Sequence, residues 1–72
     1  MLLCYVLSDA REAVGLKRYE VAKRLGCNAS AYGHWETGRY KPEAQWFPKL
    51  AEILQIPVEE LAEASLEKES DF

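Results

Sequence analysis

Little in this sequence suits metal or redox chemistry. Two cysteines, Cys4 and Cys27, and one histidine, His34, stand at no spacing that fits a metal site. A secreted domain this small would usually carry a denser cysteine framework, so reduced thiols and a cytoplasmic location are expected. Long hydrophobic runs are lacking too. The apolar start, Met1 to Leu7, has no basic leader and runs straight into Ser-Asp-Ala-Arg-Glu, so neither a signal peptide nor a membrane span is expected. There is no glycine-rich phosphate loop, no paired-carboxylate motif, no internal repeat and no strand pattern. No catalytic residue, cofactor or metal is therefore assigned.

What is present is an ample supply of apolar residues, 49% of a 72-residue chain. That suffices for one small core, near the lower limit for folding without staples. Net charge is −3, which by itself argues against a polyanionic partner. Its distribution reverses the impression. Residues 15–49 hold Lys17, Arg18, Lys23, Arg24, Arg39, Lys41 and Lys49 against Glu20, Glu36 and Glu43, whereas residues 50–72 hold Lys68 alone against seven acidic groups. A basic middle and an acidic end would orient the protein on DNA with its tail turned away; simple solubility is the plainer alternative.

Five short helices are predicted. Leu3, Leu7, Ala10 and Val14 form one helical stripe over residues 2–14, stopped by Gly15. A second helix, Arg18 to Leu25, turns Val21, Ala22 and Leu25 inward and ends at Gly26. Asn28 caps a third, running to about Thr37, with Ala31, Tyr32 and Trp35 inward and Gly38 beyond its end. Pro42 can begin a fourth, with Ala44, Phe47, Leu50, Ala51 and Leu54 inward, although Pro48 should loosen its first turn so that the regular helix starts near Pro48. Pro57 opens a fifth through about Leu66, burying Val58, Leu61 and either Ala62 or Ser65. The acidic residues 67–72 read as a frayed tail on a domain spanning 1–66.

The segment from Arg18 to Pro42 carries the functional signal. A small Ala22 where two helices cross, and Gly26 in the turn between them, are the punctuation of a helix-turn-helix. The second helix of such a pair can lie in the major groove of DNA. Gly15-Leu16, Val21-Ala22-Lys23-Arg24-Leu25-Gly26, Trp35-Glu36-Thr37-Gly38 and Pro42 together resemble the Cro/C1-type (XRE, lambda-repressor-like) helix-turn-helix family, over about Leu3 to Leu61. The resemblance implies an all-α, compact five-helix domain whose third helix reads DNA. It also implies a structural ion pair between Arg11, late in helix 1, and Glu36, at the end of helix 3.

The position of the family's phosphate-contacting residue at the start of helix 2 corresponds to Arg18. Asn28, at the N-terminus of helix 3, can offer its amide and the helix end to a phosphate. Lys17, Arg39, Tyr40 and Lys41 are further backbone candidates. Base reading would fall to Ala29, Ser30, Gly33 and His34. These are shorter than the side chains the family usually places there, so phosphate contacts and DNA shape should carry a large share. Tyr32 and Trp35 read as core, Trp46 as partly exposed, and Cys27 as an apolar filler.

Helix 1 carries Met1, Leu2, Cys4, Tyr5 and Val6 beyond its stripe, more than so small a core should hold. A homodimer is expected, through helix 1, the Trp46 region or the C-terminal helix. The leading expectation is a double-stranded DNA-binding transcriptional regulator, a repressor acting as a dimer on a palindromic operator. The alternative is a protein-interaction module, such as an antitoxin or controller-type subunit with secondary DNA binding.

Overall fold

Glycines and prolines set most of the helix boundaries. The computed structural model describes residues 2–67, which form α1 (Leu3–Ala13), α2 (Arg18–Leu25), α3 (Ala29–Glu36), a 3-10 turn (Ala44–Trp46), α4 (Phe47–Leu54) and α5 (Val58–Ser65). The described residues contain no strand. Of the tail expected to fray, 67–72, Glu67 is held by its N–H on the Ala64 carbonyl, and residues 68–72 lie outside the described residues.

Helices α1 to α4 close in the same way. An N–H two or three residues past the end reaches back five residues to a carbonyl: Leu16 to Arg11, Cys27 to Ala22, Arg39 to His34 and Ile56 to Ala51. This closure needs one residue in the left-handed region just beyond the helix. Gly26 supplies it after α2 at φ +87°, where any side chain would be strained. After α4 the same place is taken by Gln55, at φ 59°. No glycine announces that end in the sequence.

One core joins all five helices. Leu7, Val21, Tyr32, Leu50 and Leu61, one from each helix, are completely buried. Ala22 is buried on α2, which packs chiefly on α3 and also on α4. α5 packs mainly on α1 and α4, away from the α2–α3 pair.

The structure corrects four details. Pro42 is buried in an extended loop and begins no helix; α4 starts at Phe47, with Pro48 in its first turn where no N–H is needed. Ala44 is exposed, because the 3-10 turn winds more tightly and rotates it out of the α4 stripe. In α5 the register buries Leu61 and Ala64, whereas Val58 and Ala62 are exposed and Ser65 is half-buried. Finally, α1 hides more than expected. Cys4 and Val6 are buried on α1, which packs on α3, α4 and α5, leaving Tyr5 as the large apolar side chain it exposes.

Two substitutions should therefore raise stability. Gln55→Gly removes a left-handed strain of about 1 kcal/mol, and Gly33→Ala adds about 0.5–1 kcal/mol of helix propensity, since a Cβ at Gly33 meets nothing within 4 Å. Chemical denaturation should show both midpoints rising with unchanged slope.

Candidate nucleic-acid interface

A buried carboxylate stands at the end of α3. The Glu36 side chain is 0% exposed, a placement that requires compensation by positive charge. Arg11 provides it from α1. Its Nε donates to Glu36 Oε2 at 2.7 Å and its Nη2 to Oε1 at 3.2 Å, a forked pair. Its Nη1 donates to the Leu16 carbonyl at 2.8 Å, so the same guanidinium also fixes the turn leading into α2. The bonds to Glu36 hold the Arg11 pKa above its ordinary value.

A second arginine joins from α2. Arg18 Nε donates to Glu36 Oε1 at 3.0 Å, with its side chain half exposed. The three residues thus tie α1, α2 and α3 together at one point. Tyr32 lies under the same cluster. Its ring is completely buried and edge-on to Trp35, but its hydroxyl has no hydrogen-bond partner among the described residues. Burial, reinforced by Glu36, drives the Tyr32 pKa well above the usual phenol range.

The turn between α2 and α3 is Gly26-Cys27-Asn28. Asn28 is exposed, and its Oδ1 accepts from the Ala31 N–H at 2.7 Å, which starts α3. Cys27 packs against the core, and burial raises its thiol pKa, as befits a filler. From this start α3 presents Ala29 and Ser30 to solvent, while Gly33 and His34 are half-buried. His34 stacks edge-on with the exposed Tyr40 ring, centroids 5.3 Å apart. The chain after α3 folds back over that helix end, with the Arg39 and Tyr40 N–H groups both donating to the His34 carbonyl.

The basic candidates divide into two groups. Lys17, Arg18 and Arg39 are exposed at the ends of α2 and α3. Lys17 occupies the N-cap of α2, where its own N–H donates to Glu20 Oε1 at 2.8 Å. Lys41 is engaged elsewhere. Its Nζ donates to the carbonyls of Ser65 and Glu67 at 3.0 and 3.1 Å, neutralising the negative end of α5. The sequence carries no signal for that contact, nor for Arg18 on Glu36 or Tyr40 on His34, because each joins segments by way of the tertiary fold.

Removing one partner of the buried pair should cost several kcal/mol. Glu36→Gln is expected to lose about 3 kcal/mol, and Arg18→Ala about 1 kcal/mol because solvent reaches it; thermal melts compare them directly. Tyr32→Phe should be neutral or gain about 1 kcal/mol, since it deletes an unsatisfied hydroxyl. The sign with pH follows from the raised folded pKa. Stability is intact below the unfolded phenol value of about 10 and falls as pH rises past it. Tyr32→Phe should flatten that alkaline loss.

Comparison with known proteins agrees with this geometry. The profile of a family described as a helix-turn-helix domain matches residues 6–64. Searches of curated proteins and of solved structures gave no significant match. Among the described residues no helix is long and apolar enough to cross a membrane, and no cluster of His, Cys, Asp or Glu could hold a metal ion. The three-residue turn, the packing of α2 on α3 and the matched span together place the chain in the helix-turn-helix domain family of the XRE/Cro-like type, whose fold serves DNA binding.

Proposed function

We propose that this protein is a transcriptional repressor that binds duplex DNA as a two-fold dimer, with α3 in the major groove. The observation that carries the reading is the surface around α3. Ala29 and Ser30 stand exposed on a helix clamped from behind by Arg11 and Glu36, with Lys17, Arg18 and Arg39 exposed at its flanks. The acidic side chains of Glu59, Glu60 and Glu63 are on α5, which packs on α1 and α4 instead.

In this reading Ser30 and His34 make hydrogen bonds to base edges, and Ala29 touches a thymine methyl. Gly33 allows close approach of the helix. Lys17, Arg18, Arg39, Tyr40 and the Asn28 amide grip the backbone. Lys41 contributes less, as its ammonium is occupied by α5. The short base-facing side chains make phosphate contact and DNA shape the larger share of affinity.

The dimer is best supported at α5. Leu66, 85% exposed, and Val58 are the large apolar side chains there, whereas Trp46 is half-buried against Trp35, with ring centroids 5.8 Å apart. The same exposed Leu66 favours the second reading, in which α5 docks a different protein chain and DNA binding is secondary.

Selection of bound sequences from a random duplex pool tests the proposal. It predicts a palindrome with half-sites about one helical turn, roughly 34 Å, apart. Lys17→Ala or Arg39→Ala should weaken binding across all sequences and reduce the salt slope by about 0.9 each, while Ser30→Ala should change the selected bases. Leu66→Glu should convert dimer to monomer in sedimentation. Absence of duplex binding at low salt would leave the protein-docking reading.

A further inference from the structure

Arg18 occupies an unfavourable place. It is the first residue of α2, next to Lys17, at the positive end of a helix where a cation is disfavoured. Glu36 lies within reach, but Arg11 already meets that carboxylate with two donors and matches its charge. Arg18 is therefore a second arginine on a carboxylate that is already paired, while the exposed Glu12, 3.9 Å from Arg11, adds a further negative charge to the cluster. Only its Nε is used, at 3.0 Å from Glu36 Oε1, and Glu36 is the one partner its guanidinium meets among the described residues. The rest of a 51%-exposed side chain remains available.

We propose that Glu36 is a positioning residue for DNA-backbone binding: it anchors Arg18 by Nε, so that the terminal amines are held ready for a phosphate oxygen. The inference rests on the DNA-binding reading and adds to it a second role for a carboxylate that also locks α3 to α1. A guanidinium can do both things at once, because its donors form a fork. An ammonium carries its three donors on one atom, so it meets two acceptors, as Lys41 Nζ does, only where both lie within about 3 Å of that atom. Lysine at this position would have to leave Glu36 to reach a phosphate beyond that range. A free arginine would lose rotamer freedom on binding, whereas the anchored one has lost it in advance, a difference of roughly three- to tenfold in affinity. The incoming phosphate also suits the positive end of α2, where Arg18 sits.

Arg18→Lys separates this from simple charge attraction. Binding to a mixed-sequence duplex, titrated over salt, suffices because phosphate contacts do not depend on sequence. The lysine variant should bind about tenfold more weakly than the parent and lose about 0.9 from the salt slope, nearly matching Arg18→Ala. In the free protein the Arg18 Nε–H should exchange slowly by NMR, and this protection should persist when duplex is added. Arg18→Lys binding within twofold of the parent with an unchanged slope would overturn the proposal and leave DNA binding intact. So would an Nε–H exchanging at the solvent rate in the free protein. No duplex binding by the parent at low salt would overturn both.

Discussion

A carboxylate with no exposed surface decides how this small domain is put together. Glu36 is the last residue of α3, and a buried negative charge there is tolerable only while Arg11 stays in place. Arg11 in turn holds the Leu16 carbonyl, so α1, the turn into α2 and α3 cannot move independently. A domain of this size has only a few kcal/mol of net stability. A single buried pair is thus a large fraction of it, and its geometric effect is to set the angle of α3.

The hydrophobic core makes the complementary contribution. It is non-directional and would allow several arrangements of five short amphipathic helices. Tyr32 and Trp35 are buried beneath α3, and α2 packs on it through a side that includes the buried Val21, Ala22 and Leu25. Burial therefore drives collapse, while the ion pairs and the repeated helix-end closures select one arrangement. The outcome is an α3 whose inner side is fully engaged and whose Ala29 and Ser30 are free to meet another surface. The charges follow the same division, basic around α2 and α3, acidic along α5.

Local features were legible in the sequence to the degree that they depend on neighbouring residues. Arg18 and Leu25 are the bounds of α2 both by pattern and in the structure, because a glycine marks its end. The loosened entry into α4 was readable from Pro48. Gln55 was not, since a left-handed glutamine looks like any other exposed polar residue. The choice of Ala64 over Ala62 was equally hidden, because the rotation of α5 is decided by α1 and α4. At the interface, Arg11 and Glu36 were accessible only through the family resemblance. The engagement of Arg18 by Glu36 and of Lys41 by the end of α5 links residues 18 and 24 or more positions apart, beyond the reach of any local pattern.

If the outward side of α3, held by Glu36, is the surface that meets DNA, backbone NMR spectra recorded while a duplex is added will show it residue by residue. The largest shifts should fall at Lys17 and Arg18, at Asn28 to Ser30, and at His34 to Tyr40, with α5 unmoved at low duplex ratio. Shifts confined to α5 and the outer side of α1, with α2 and α3 silent, would contradict it.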